Sequence, residues 1–253
     1  MKIKVAPKKI LKLIRFGSIG SKSPLLNQFI IRFDDKTAKI RGFTEDGYVA
    51  FYGSFGSKWF REYEAKSEDV ILKTTLLGLI EEKFNDEESI EISTDEEMLW
   101  IRSPRKEYHE LLRKQSQKKF PIEMVETKLG IVPEHCSPLI KAHLEKDELF
   151  DKGTNTFGST DILLQILRTH EKELTITTVF DVNREFKKTL RLLDNQHNRL
   201  EDIEVAFQRE ILQRCLEGLD GKLWLLMDND IVIISEKGKD YSLTYMIRAS
   251  STD

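Results

Sequence analysis

Two stretches of this chain, about half a chain apart, share one layout, and that repetition limits the fold more than any other feature. "LLGLIEEKFNDEESIEISTDEEMLWIRS" begins at Leu76 and "ILQRCLEGLDGKLWLLMDNDIVIISE" at Ile211. Each reads as an amphipathic helix, an acidic or glycine turn, a strand, an acidic turn and a second strand. One doubling over 253 residues implies two copies of one domain rather than a solenoid. The length is enough for two domains of moderate size.

The remaining periodicity fits that division. "MKIKVA", "QFIIRF", "TAKIRGF", "YVAFYGSF" and "DVILK" alternate as strands, and "SIEIS", "MLWIR" and "YHELLR" follow the helix at 74–84. In the second half "PLIKAHLE", "DILLQILRT", "ELTITTVFD", "FKKTLRLLD" and "LEDIEVAF" read as strands. "QREILQRCLEGLDG" reads as a helix ended by a glycine, and "KLWLLMD", "DIVIISE" and "YSLTYMIRA" close the chain. A weak helix is expected within 146–158. Between the halves, residues 114–138 carry three prolines and little periodicity, which marks a crossing linker. The expected organisation is an N-terminal domain over 1–115, a connecting segment over 116–136 and a C-terminal domain over 137–253. The fold class is α+β, with helices packed on antiparallel sheets.

The stretch "APKKILKLIRFGS" is the most informative local signal. Read as a helix, it places Lys8, Lys12 and Arg15 on one side with Lys9 beside them, and Ile10, Leu13 and Ile14 on the other. Such a face is either solvated surface or a contact for a polyanion. The net charge of −3 excludes a globally basic nucleic-acid binder, so any such contact must be local. No apolar run is long enough to span a bilayer, and the first residues lack the apolar core of a signal peptide, so an intracellular protein is expected.

Signals for catalysis are missing. The five histidines, His109, His135, His143, His170 and His197, form no HxH or HExxH, and no second ligand pair accompanies His135 and Cys136. There is no GxSxG, Walker loop or GxGxxG. The acidic residues cluster in turns such as "STDEE" and "DND", which read as solvated hairpin tips. The expectation is a protein that is not an enzyme and needs no metal or cofactor. Trp100 and Trp224, in alternating strands, read as core or sheet-surface residues, whereas Trp59 falls in a loop-like stretch.

The order of elements, together with "TEDGYVAFYGSF", "FREYEA" (60–65), "KLGIVPE" (128–134) and "YSLTYMIRA", resembles the DNA sliding clamps of the proliferating cell nuclear antigen family over essentially the whole chain. The third motif carries one extra residue, Val132, and the chain ends in "IRASSTD" without the family's proline. The resemblance implies a DNA-clamp fold of two similar domains, ring-forming with three subunits, helices lining the hole and sheets outside. It implies sequence-independent contact with duplex DNA in the nucleus or the archaeal cytoplasm. The DNA-facing residues would be Lys8, Lys9, Lys12, Arg15, Lys83, Lys146, Lys152, Arg209 and Arg214. A partner-peptide groove for DNA polymerase, clamp loader and other replication and repair proteins would hold Phe43, Tyr48, Leu129, Ile131, Pro133, Ile231 and Ile247.

Subunits, self or paralogues, would meet through Tyr108, Glu110 and Leu112 on one edge and Lys187, Leu190 and Leu192 on the other. Arg113 and Lys114 against Lys187, Lys188 and Arg191 would set like charges opposite one another, with Glu110 and Asp194 compensating in some registers. The polar face of the helix at 74–84 carries glutamates, a departure from the family's positive hole. Three functional readings therefore stand: a processivity clamp, a clamp paralogue or hetero-ring subunit in damage signalling, and a non-ring peptide-binding scaffold.

Overall fold

The structure, a computed structural model, describes residues 1–20, 24–95, 97–112, 140–145, 164–170, 173–181, 184–191, 203–228 and 231–249. The first half runs β1 (Lys2–Val5), α1 (Pro7–Ser18), β2 (Gln28–Phe33), β3 (Thr37–Phe43), β4 (Val49–Gly56), β5 (Glu62–Glu64), β6 (Glu68–Lys73), α2 (Leu76–Lys83), β7 (Ile90–Thr94), β8 (Met98–Arg102) and β9 (Glu107–Leu111). The second half runs β10 (Ile140–Glu145), β11 (Leu164–His170), β12 (Glu173–Asp181), β13 (Arg184–Arg191), β14 (Ile203–Gln208), α3 (Arg209–Glu217), β15 (Lys222–Asp228), β16 (Ile231–Lys237) and β17 (Tyr241–Arg248). The expected limits of the connecting segment, and the weak helix at 146–158, lie outside the described residues.

Strand order makes the internal repeat explicit. One sheet is β5-β1-β7-β8-β9, a second is β10-β15-β16-β17-β4-β3-β2-β6, and a third is β13-β12-β11-β14. The first half thus contributes β1-β7-β8-β9 and β4-β3-β2-β6; the second contributes β10-β15-β16-β17 and β13-β12-β11-β14. The two orders superimpose element for element. The halves meet where β17 pairs with β4, from Tyr241 opposite Phe55 to Ile247 opposite Val49, so one sheet of eight strands runs through both.

That junction rests on aromatic packing. The α1 residue Phe16 lies with its ring centroid 4.7 Å from Tyr245 of β17 and 5.8 Å from Phe51 of β4. All three side chains are buried, and the Tyr245 hydroxyl donates to the Phe16 carbonyl at 2.8 Å. Burial pushes the Tyr245 phenol well above its ordinary pKa, so it remains a donor. Gly218 follows α3 at φ −81, so a left-handed cap is not its reason. A Cβ there would come 2.5 Å from the Tyr245 hydroxyl and 2.9 Å from the Phe16 Cα, so glycine lets α3 approach both.

Helix α1 begins with Pro7, whose missing N–H costs nothing in the first turn. It ends through Ile19 at φ 54, where Ile19 N–H bonds to Phe16 O and Gly20 N–H to Arg15 O. A branched residue is strained in this region. Ile19 is fully buried, and the core contact offsets the strain. Trp59, in a 3₁₀ turn at Ser57–Trp59, is also buried, against Phe55 and Phe60.

Removing the Tyr245 hydroxyl tests the junction. Tyr245→Phe keeps the ring but leaves Phe16 O without its shortest donor, and should cost about 1 kcal/mol of stability. A lower urea midpoint with unchanged slope is the expected reading.

Candidate functional site

The three helices form one packed layer. α1 lies in the middle, joined to α2 by Arg15 Nη2 to Glu81 Oε1 at 2.6 Å. On its other side the end of α1 meets α3, where a Cβ on Gly20 would come 3.4 Å from Arg214 Cβ. The apolar side of each helix turns inward: Ile10, Leu13 and Ile14 from α1, Leu76, Leu77 and Ile80 from α2, and Leu212, Cys215 and Leu216 from α3 are buried. Burial also pushes the Cys215 thiol upward in pKa, which leaves it an inert core residue.

The polar side of this layer is less positive than the sequence implies. Lys8 and Lys83 are exposed and have no ion-pair partner among the described residues. Lys9 is exposed along its stem, but its ammonium donates to the Trp59 carbonyl and lies 5.2 Å from the centre of the indole. Arg15 is paired with Glu81, and Arg214 with Glu210 one helical turn earlier. Glu81 and Glu82 are exposed beside Lys83 on α2. Arg209 opens α3, while Lys146 and Lys152 lie outside the described residues.

Lys12 departs furthest from its expected place. It is only 14% exposed, and its ammonium reaches Glu236 Oε1 at 2.7 Å and Asp220 Oδ2 at 3.1 Å. It also lies 4.8 Å from the centre of the Tyr241 ring. Glu236 is 4% exposed as a residue; it accepts from the Tyr241 hydroxyl and from the Asp220 N–H as well. Burial alone would lower the Lys12 pKa, but the hydrogen bond and charge of Glu236, then Asp220, more than offset it and hold the pKa above its ordinary value. Lys12 therefore clasps the first half to the second instead of facing outward. The reason is reach: its long stem extends over the α1 surface to a carboxylate that would otherwise be buried and unpaired.

A second feature lies on the other face of the eight-stranded sheet. Phe43, Ala50, Met246, Ile233 and Leu226 are directly opposite one another across five consecutive strands. With Ile231 they form an apolar cluster separate from the main core. Tyr48 is 38% exposed beside it, and its carbonyl accepts from Arg248 N–H. This row brings together Phe43 and Ile231 of the expected peptide groove, with Tyr48 at its margin. Ile247 is fully buried in the main core; Met246 holds the cluster position on that strand. Leu129, Ile131 and Pro133 lie outside the described residues.

Of the expected interface positions, Tyr108, Glu110 and Leu112 are half-buried at β9, and Glu110 pairs with Lys73 at 2.9 Å. Lys187 is exposed on β13, Leu190 lies on the same strand, and Leu192 lies outside the described residues. Among the described residues no three His, Cys, Asp or Glu side chains come together as a metal site, and no helix is long and apolar enough to cross a membrane.

Repeated halves, a shared sheet and a helix layer on one side together define a sliding-clamp fold. Comparison with solved structures gives the same fold over the whole chain. A. fulgidus PCNA, solved with the C-terminal region of FEN-1, matches at TM-score 0.77 and 12% identity, covering 100% of this chain and 99% of its own. The PCNA2–PCNA3 complex of Sulfolobus tokodaii matches at 0.74 and 13%, covering 98% and 99%. PCNA from Thermococcus kodakaraensis matches at 0.73 and 12%, covering 98% and 99%. No family model and no curated protein matches the sequence.

The Lys12 clasp has two measurable consequences. Lys12→Met strands the buried Glu236 charge and should cost about 2 kcal/mol in urea unfolding. The folded-state pKa values of Lys12 and Tyr241 are both raised, Tyr241 first by burial and then by Glu236. A raised folded pKa gives stability that is complete below the unfolded value and is lost as pH rises through the folded one. Stability should therefore fall from about pH 10 upward, read as a falling urea midpoint across that range.

Proposed function

We propose that this chain is a subunit of a DNA sliding clamp, a ring that encircles duplex DNA and tethers DNA polymerase and other replication and repair enzymes by short peptides. The observation that carries this reading is the extent of the fold likeness, which takes in both halves and their junction rather than one domain. A clamp must hold DNA without reading it, so it needs neither base contacts nor catalytic groups. The helix layer suits the wall of such a ring: regular, rigid and polar on its outer side. Lys8, Lys9 and Lys83, with Arg209, Lys146 and Lys152, are its DNA-facing cations. Their small number makes the hold mainly topological, with a weak salt-sensitive component.

The apolar row from Phe43 to Leu226, with Tyr48 and Ile231, is the partner groove, to which the family resemblance adds Leu129, Ile131 and Pro133. A peptide with apolar anchors would bury them there, as apolar patches on sheets commonly allow. The chain works where DNA is, in a nucleus or an archaeal cytoplasm. A role as a clamp paralogue in damage signalling is the second reading, and the neutralised Lys12, Arg15 and Arg214 favour it, because they leave less positive charge for DNA.

Retention on DNA of defined topology tests the clamp. Protein loaded by a clamp loader onto nicked circular plasmid should remain bound through gel filtration at high salt, and should leave when the plasmid is linearised. Equal loss from circle and line would refute encirclement. Lys8→Glu with Lys83→Glu should weaken direct duplex binding several-fold at low salt without lowering the melting temperature, because both side chains are exposed.

A further inference from the structure

The face of the eight-stranded sheet that carries the apolar row also carries a charged one. Four residues along each strand from the row that runs from Phe43 to Leu226 stand Lys39, Ser54, Ser242, Lys237 and Lys222. Four is an even number, so both rows point to the same side of the sheet. The register sets Lys39 opposite Ser54, Ser54 opposite Ser242 and Ser242 opposite Lys237. One residue beyond Leu223 and Glu236, it sets Lys237 opposite Lys222. The two rows lie about 13 Å apart along the strands.

The cations at the two ends of this row differ. At the β3 end Lys39 pairs with Asp34 at 3.2 Å, and Arg32 beside it holds Asp69 through two hydrogen bonds. At the β15 end Lys222 and Lys237 are exposed, as is Lys239 in the tip that follows, and none has an ion-pair partner among the described residues. Like charges directly opposite one another on a sheet cost stability. The nearest acid on these strands, Glu236, is turned to the helix side, where Lys12 holds it. Main-chain bonds draw two more exposed lysines to the same end: Gly56 N–H to Asp240 O and Ser57 N–H to Lys36 O bring Lys36 and Lys58 alongside. Of the carboxylates there, Asp34 is held by Lys39 and Asp220 by Lys12. Asp35 and Asp240 have no cation partner among the described residues, and Glu145 stands opposite Lys222 on β10. The lysines outnumber these three.

We propose that the peptide taken by the Phe43–Leu226 row carries a short run of Asp or Glu that begins four residues from the anchor resting on Leu226, and that Lys222, Lys237 and Lys239 hold that run. This rests on the groove reading above and adds to it the charge and the direction of the partner. Exposure sets the path. In the row between the two, Ser235 and Thr244 are buried, whereas Trp224 is half-buried between Leu226 and Lys222 on the same strand. A chain leaving Leu226 therefore runs along β15, over Trp224. An extended peptide covers the distance to Lys222 in four residues, because it rises as a strand does. At the other end Arg41 is stacked on Tyr52 at 4.7 Å, and Lys39 and Arg32 are paired, so an acidic run there would have to displace carboxylates already in place. The free cations are single ammonium groups rather than arginine forks, and these suit carboxylates taken one at a time.

Fluorescence anisotropy with synthetic peptides tests the partner. The probes share one Leu and one Phe anchor, set at each spacing from one to four residues, and carry three Glu, three Ser or three Lys four residues beyond either anchor. At low salt a Glu-flanked probe should bind several-fold more tightly than its Ser-flanked twin, and a Lys-flanked probe more weakly, with the difference shrinking as salt rises. In Lys222→Glu with Lys237→Glu the order should reverse, which a misfolded chain could not do. Equal binding of all three flanks, or a Glu preference that survives the charge swap, would overturn the acidic partner and leave the groove standing. Failure of every probe to bind would overturn the groove and this extension together. A single-stranded oligonucleotide that binds the wild type more tightly than the Glu-flanked probe, and is lost with the charge swap, would reassign the row to nucleic acid and overturn the peptide.

Discussion

The β17–β4 pairing governs the rest of the molecule. It converts two four-stranded layers into one sheet of eight and draws α1 and α3 together over a buried Phe16, Phe51 and Tyr245. Main-chain hydrogen bonds alone would allow the halves to slide, because neighbouring registers satisfy the same groups. The aromatic cluster and the hydroxyl of Tyr245 remove that freedom by demanding one register. The Lys12 clasp then closes the same junction from the helix side, using a charge pair that only one relative placement of the halves can satisfy.

This rigidity draws on the charge available to function. Of the α1 cations, Lys12 is held by Glu236 and Arg15 by Glu81, whereas Lys8 and Lys9 meet no carboxylate among the described residues, Lys9 resting on the neutral Trp59 carbonyl. The pairs at the edge of the layer are partly exposed and contribute little stability individually. Their main effect is on the field, since each carboxylate cancels a cation that would otherwise attract phosphate. A helix that looks strongly basic in sequence thus presents only Lys8 and Lys9 without a carboxylate partner among the described residues.

Much of the fold was legible in the sequence because alternation and helical period are local signals. β12 coincides with "ELTITTVFD", and α1 with the amphipathic stretch that opens the chain. The three-residue β5 and the 3₁₀ turn that buries Trp59 are too short to show a period. The candidate site was less legible. The partners of Lys12 are 208 and 224 residues away, and no spacing rule connects them. Ile247 and Met246 could not be told apart because β17 is buried along both faces, so alternation in "TYMIR" says nothing about which side is which.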